Sequence, residues 1–233
     1  MIGCGCGSLD LEFVSRCLWN LKMLTAVEPD ADQMATLKTR IAQLLPNVSA
    51  EFCQETAQSW KGSDGPFDAV LMFHILCYIP ELERPALLKK LFDNVTTNGG
   101  LVFILTSPCN MKSPTMLIRL IDLLSLPSYD VYYFVDGVHV CDLMTSAGFH
   151  ACYQQRIEYQ FDMQEPNDDM LSVFTFLSQG KLSLEQVREA AEKVLGGEKA
   201  IQHEMWLGVF EQAAQLKQGL ADRTAKTAVS AGI

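Results

Sequence analysis

The chain has 233 residues, 48% of them hydrophobic, and a net charge of −10 from 18 Lys and Arg against 28 Asp and Glu. That length and apolar share suffice for one buried core, and the acidic balance argues against nucleic acid, whose phosphates need clustered basic residues. No apolar run reaches the roughly 18 residues of a membrane-spanning helix, and no basic segment followed by a small-residue cleavage site marks a secretory leader.

The chain opens on Met1-Ile-Gly-Cys-Gly-Cys-Gly7, a G-x-G-x-G loop. A helix is predicted over 8–20 from the pattern of Leu9, Leu11, Phe13, Val14, Cys17 and Leu18, and a strand over 21–27 that ends at Glu28. Asp30 caps a helix running to Leu45, with Ala31, Met34, Leu37, Ile41 and Leu44 on one face. Val48 to Cys53 reads as a short strand, and Phe67 to Phe73 as a strand buried on both sides. Pro80 to Val95 reads as a helix with proline near its start, Asn98-Gly-Gly100 as a turn, and Leu101 to Thr106 as another buried strand.

The later chain is less regular. Residues 114–126 are predicted as an apolar helix or lid, and 135–147 as a helix ended by Gly148. Cys152 to Phe161 reads as a strand, Asp169 to Leu177 and Leu184 to Leu195 as helices, and Ile201 to Phe210 as the last strand. Residues 213–233 lose the apolar pattern and read as a helical or disordered tail. No linker divides residues 1–212, which are read as one domain. The alternation of strand and helix implies an α/β fold with a doubly wound sheet flanked by helices. Five parallel strands, then helices, then two adjacent late strands resemble the layout of the Rossmann-like, seven-stranded methyltransferase sheet. Only Met1 and Ile2 stand where its first strand belongs. That strand is therefore expected to be truncated and the chain to be destabilised, because neighbouring strands would keep unpaired backbone groups.

A glycine loop opening a helix, with an acid at the tip of the next strand, is the plan of a nucleotide-type cofactor site. Glycines let the backbone turn and approach the ligand, and the acid accepts ribose hydroxyls. A dinucleotide fingerprint needs its third glycine at position 8, which is Ser8; the third glycine here is Gly7. This G-x-G-x-G spacing favours S-adenosylmethionine (SAM). The eight cysteines are scattered with no C-x-x-C pair, so neither a metal site nor a disulfide framework is expected. Reduced cysteines in a cytoplasmic protein are the simpler reading, and no heptad argues against a monomer.

Four strings narrow the reading: Ile2-Gly-Cys-Gly-Cys-Gly-Ser-Leu-Asp-Leu11, Val27-Glu-Pro-Asp-Ala-Asp-Gln33, Phe52-Cys-Gln-Glu-Thr56, and Phe67-Asp-Ala-Val-Leu-Met-Phe-His-Ile-Leu-Cys-Tyr-Ile79. Together they resemble the histamine N-methyltransferase family, with weaker likeness at Asp142 to Gly148 and Asp169 to Leu177. The resemblance implies that Gly3, Gly5 and Gly7 turn beside the methionine part of SAM. It implies that Glu28 holds the ribose hydroxyls and that Gln33 reaches the adenosine. Ala57 stands where the family has a serine beside the adenine, so only a backbone contact remains there. Phe73 approaches the cofactor, and His74 follows it. For the substrate, a small amine such as histamine, the resemblance points to Tyr78 as an aromatic wall and to His203 or Glu204 near the last strand. The family's amine-gripping glutamate lies on a helix upstream of the first strand, a region with no counterpart here. Two alternatives stay open: a methyltransferase for another small molecule, and a non-catalytic SAM-binding homologue.

Overall fold

The structure, a computed structural model, describes residues 1–18, 20–62, 66–95, 100–106, 135–162 and 200–212, with isolated positions between 183 and 193. The segments expected at 98–99, 114–126, 169–177 and after 212 lie outside the described residues, and that at 184–195 does so for most of its length.

Helix α1 (Ser8–Cys17) starts at Gly7, whose φ of 74° turns the chain out of the glycine loop. It ends three residues before the predicted boundary. The Leu18 N–H closes on the Val14 carbonyl, and the Leu21 N–H then turns back to Leu18. Strand β1 (Met23–Val27) follows, then α2 (Ala31–Leu44), capped as predicted by the Asp30 side chain accepting from the Gln33 N–H at 2.8 Å. β2 (Ser49–Cys53) lies parallel to β1, from Met23 opposite Ser49 to Val27 opposite Cys53. β3 (Ala69–Phe73) begins two residues after the predicted start, because Phe67 instead bridges to Val95.

The helix predicted from Pro80 splits. A 3-10 turn at Glu81–Glu83 precedes α3 (Arg84–Asn94). Pro85 has no N–H, so the regular ladder cannot run back through it; Pro80 O instead accepts from both Glu83 and Arg84. β4 (Leu101–Thr106) pairs parallel to β3. Then α4 (Gly137–Ser146) is capped by Asp136, and Gly148 at φ 98° turns the chain straight into β5 (Phe149–Asp162), which therefore starts three residues before the predicted Cys152. β6 (Ala200–Gln212) is antiparallel to both β4 and β5. It runs past the predicted end at Phe210, and the buried Gln212 donates through Nε2 to the carbonyls of Phe92 and Val95, closing the end of α3.

Hydrogen-bonded strand order is β2-β1 in one sheet and β3-β4-β6-β5 in the other. Met1–Gly3 lies between them. Ile2 donates to Leu71 O at 3.0 Å, Gly3 donates to Val27 O at 2.7 Å, and Val27 donates to Met1 O at 3.0 Å. Six strands are thus described, and the predicted first strand is present as a bridge at Ile2.

Period-two alternation sends successive residues of β3 to opposite faces. Val70 and Met72 join Leu87, Leu88 and Leu91 of α3 and Val140 and Met144 of α4. Leu71 and Phe73 join Leu11 and Val14 of α1 and Met34, Leu37 and Ile41 of α2. The result is a three-layer α/β/α arrangement with α1 and α2 on one face and α3 and α4 on the other. No helix of the described residues is long and apolar enough to cross a membrane.

The bridge at Ile2 yields a prediction. Ile2 is 3% exposed. Ile2→Val removes one methylene and should cost about 1 kcal/mol. Ile2→Pro also deletes the donor to Leu71 and should cost about 3 kcal/mol or more. Urea unfolding of the two variants checks this; equal losses would mean that the hydrogen bond across the sheets contributes nothing.

Candidate functional site

The carboxyl ends of β1, β2 and β3 open toward one side, and the glycine loop lies across them. Gly3, Gly5 and Gly7 have φ of 60°, 52° and 74°, the left-handed region that other residues rarely adopt. At two of them an added side chain would also have to displace a neighbour. A Cβ on Gly3 would fall 1.8 Å from Ile75 Cδ1, and one on Gly7 would fall 2.4 Å from Leu37 Cδ1. At Gly5 the space is open: its nearest neighbour would be Gln33 Oε1 at 3.8 Å. The loop is therefore packed at both ends and accessible in its middle.

Glu28 is the hinge of the site. It is only 7% exposed, and its backbone N–H donates to Cys53 O at 3.1 Å. Its carboxylate takes the Gly5 N–H on Oε2 at 2.8 Å and the Asp30 N–H on Oε1 at 3.1 Å. One side chain thus fixes the middle of the glycine loop and the entry to α2. A carboxylate has about four acceptor positions, so two remain for hydroxyl donors of a ligand. Gln33 stands in the first turn of α2 beside Gly5, in reach of the same crevice.

The other predicted residues are placed as follows. Ala57 is 3% exposed and packs in the core with Trp60; its carbonyl accepts from Lys90 Nζ at 3.1 Å. Phe73 ends β3, but its ring is nearly buried and meets Phe13 edge-to-face at 5.5 Å, so it serves the core beneath α1. Tyr78 lies in the 3-10 turn Leu76–Tyr78 after β3 and is 39% exposed at the same end of the sheet. His203 and Glu204 belong to β6, opposite Tyr159 and Glu158; their side chains lie outside the described residues. The cofactor candidates from Gly3 to Gln33 are brought together.

Four features were not foreseen. His74, directly after β3, has φ 54°, the positive φ of a non-glycine residue; its N–H donates to Leu105 O and its carbonyl accepts from Cys77 Sγ. A positive φ at a non-glycine residue is found more often in functional segments than elsewhere. Lys90 staples the loop after β2, donating to the carbonyls of Ala57, Gln58 and Trp60, and burial lowers its pKa. Arg40 reaches the glycine loop from α2. Asp10, in the first turn of α1, is 4% exposed with no partner for Oδ1, and burial pushes its carboxyl up to about 7 despite the nearby Met1 ammonium. Periodicity marks none of these, since each depends on contacts between distant segments.

A family described as a methyltransferase domain matches residues 1–100. No curated protein matches the sequence. Among solved structures, a methyltransferase from Bacillus halodurans aligns at TM-score 0.62 and 11% identity, covering 91% of this chain and 90% of that one. A SAM-dependent methyltransferase from Methanosarcina mazei aligns at 0.55 and 17% identity, covering 91% and 90%. A mycolic acid cyclopropane synthase complexed with SAH aligns at 0.59 and 11% identity, covering 91% and 76%.

Two predictions follow from the site. Gly3→Ala combines left-handed strain with the clash at Ile75 and should cost roughly 2–4 kcal/mol, whereas Gly5→Ala should cost about 1 kcal/mol; denaturant midpoints check the order. For Asp10 the raised folded pKa means that the folded state binds a proton which the unfolded state, titrating at 3.8, has released. Stability should therefore fall as pH rises from about 4 to about 7, by at most about 4 kcal/mol, and level off above. Asp10→Asn should flatten that slope; an unchanged pH profile in the variant would remove Asp10 from the account.

Residues 1–100 thus match a methyltransferase domain, and the fold is shared with solved SAM-dependent methyltransferases, enzymes whose cofactor is S-adenosylmethionine.

Proposed function

We propose that the chain is a SAM-dependent N-methyltransferase for a small amine of the histamine type, with transfer to an imidazole nitrogen. The observation that carries the cofactor half is the Gly5 N–H to Glu28 Oε2 bond of 2.8 Å, which sets an open glycine loop beside a buried strand-end carboxylate. The residues fit the cofactor: Gly5 leaves room where a Cβ would stand, and Glu28 keeps acceptor capacity for ribose hydroxyls. Gly3, Gly5 and Gly7 would hold its methionine part through the backbone. Gln33 and the backbone at Ala57 would lie on the adenosine side.

The cofactor, when bound, supplies an electrophilic methyl group on a sulfonium. What the chain contributes is alignment and exclusion of water, which for well-oriented reactants can be worth roughly 7–11 kcal/mol. A neutral imidazole or amine nitrogen is already nucleophilic, so no strong base is needed. Tyr78 offers an aromatic face to a flat, neutral ring whose ammonium tail carries the positive charge. Glu204 or His203 would meet the amine from β6. The amine assignment is supported by the resemblance of the strings around Glu28 and Tyr78, and by the acidic balance of the chain. The same reading takes residues 1–212 as one domain of a monomeric, cytoplasmic protein.

The test is a methyl-transfer assay with labelled SAM across histamine, other imidazoles, primary amines and small hydroxy and carboxylic acids. Preferential labelling of histamine, reduced at least tenfold in Tyr78→Ala, is expected. Labelling only of acids or hydroxyls would replace the amine reading, and no labelling by a sample that binds SAM would favour a non-catalytic homologue.

A further inference from the structure

One face of α2 lies along the whole glycine loop. Gln33, Leu37 and Arg40 are spaced i, i+4 and i+7, which places them on one side of a helix. Gln33 stands beside Gly5, and Leu37 fills the space that a side chain on Gly7 would take. Arg40 completes the row. Its Nη1 donates to Ser8 Oγ at 2.6 Å and to Cys6 O at 3.4 Å, and it lies 3.5 Å from Cys6 Sγ. Cys6 Sγ and Ser8 Oγ are themselves 3.1 Å apart.

This arrangement runs against local electrostatics. Ser8 is the first residue of α1, where the helix presents its positive end and has no side-chain cap. A cation there is disfavoured by a few tenths of a kcal/mol up to about 1. Arg40 is held in place by three acceptors that all belong to the turn Cys6–Ser8. They lie between Gly5, whose N–H is fixed by Glu28, and the start of α1. Glu28 therefore holds the loop from the strand side and Arg40 holds it from the helix side. Without the second grip, Cys6 and Gly7 would be left with the Gly7 N–H to Cys4 O bond of 2.8 Å, the Leu11 N–H to Gly7 O bond of 3.0 Å that starts α1, the 3.1 Å contact of Cys6 Sγ with Ser8 Oγ, and packing on Leu37.

We infer that Arg40 is a positioning residue that clamps the Cys6–Ser8 turn and so pre-organises the glycine loop for the cofactor. The cofactor part rests on the SAM-binding reading above. Arg40 touches neither substrate nor cofactor in this assignment; it acts by reducing the ordering that binding must otherwise supply.

The experiment compares wild type, Arg40→Met and Arg40→Lys. Methionine keeps much of the apolar stem and removes the donors, whereas lysine restores a single donor within reach of Ser8 Oγ. Hydrogen exchange on the ligand-free chain should show faster exchange at amides 3–9 in Arg40→Met, with β1 and β2 unchanged and partial return in Arg40→Lys. Calorimetry should show SAM affinity about tenfold weaker in Arg40→Met, with Arg40→Lys between. Unchanged exchange at 3–9 would overturn the assignment. So would an equal rise along the whole chain without rescue by lysine, since that marks a general stabilising contact. A wild type that fails to bind SAM, while loop exchange responds as expected, would leave the clamp standing and remove the cofactor reading instead.

Discussion

Val27 is the joint on which the structure depends. Its N–H and its carbonyl both bond to the Met1–Gly3 segment, and Ile2 in turn bonds Leu71 on the far side. These bonds are the described backbone link between the β2-β1 pair and the β3-β4-β6-β5 sheet. The same segment runs directly into the glycine loop, and Val27 runs directly into Glu28. The two peptide groups of Val27 therefore tie the start of the loop to the start of the acid, and the Gly5 N–H meets Glu28 Oε2 beside them.

Around this joint the electrostatics are concentrated. The Met1 ammonium donates to Thr25 O at 2.8 Å and has its pKa lowered by burial. Asp10 lies buried nearby with its carboxyl raised, and Cys4 in the same cluster is pushed up to about 12 by burial. Burial of polar groups under a loop is costly unless they are paired, so this region holds both the hydrogen bonds that join the sheets and the charges that oppose folding. The apolar layers on both faces, with Leu88, Leu91, Met34 and Leu37 almost inaccessible to water, are what offset that cost.

The parts of the fold legible in the sequence were those set by periodicity and by short capping signals. The nearly continuous apolar run before His74 announced a strand with two covered faces. Asp30 announced a helix start that the Gln33 N–H confirms, and the three loop glycines each take the left-handed backbone that their spacing suggested. Boundaries moved where one residue changed the backbone chemistry: Pro85 forced a 3-10 entry to α3, Gly148 started β5 early, and Gln212 extended β6 to reach the end of α3. Phe73 shows a further limit, because a residue at a strand end can face a ligand or the core, and only the packing on Phe13 decides. Arg40 and Lys90 were not legible at all. A basic residue on a helix reads as a solvated face until the loop carbonyls that it serves are folded against it.

The central claim is that the glycine loop and Glu28 form a working cofactor site. Calorimetric titration of SAM into the purified, folded chain, beside Glu28→Ala with its circular dichroism as a folding control, tests it most directly. The account predicts saturable one-to-one binding by the wild type, lost in a Glu28→Ala variant that retains its secondary structure. A folded wild type that does not bind SAM, or a folded Glu28→Ala that binds it equally well, would contradict it.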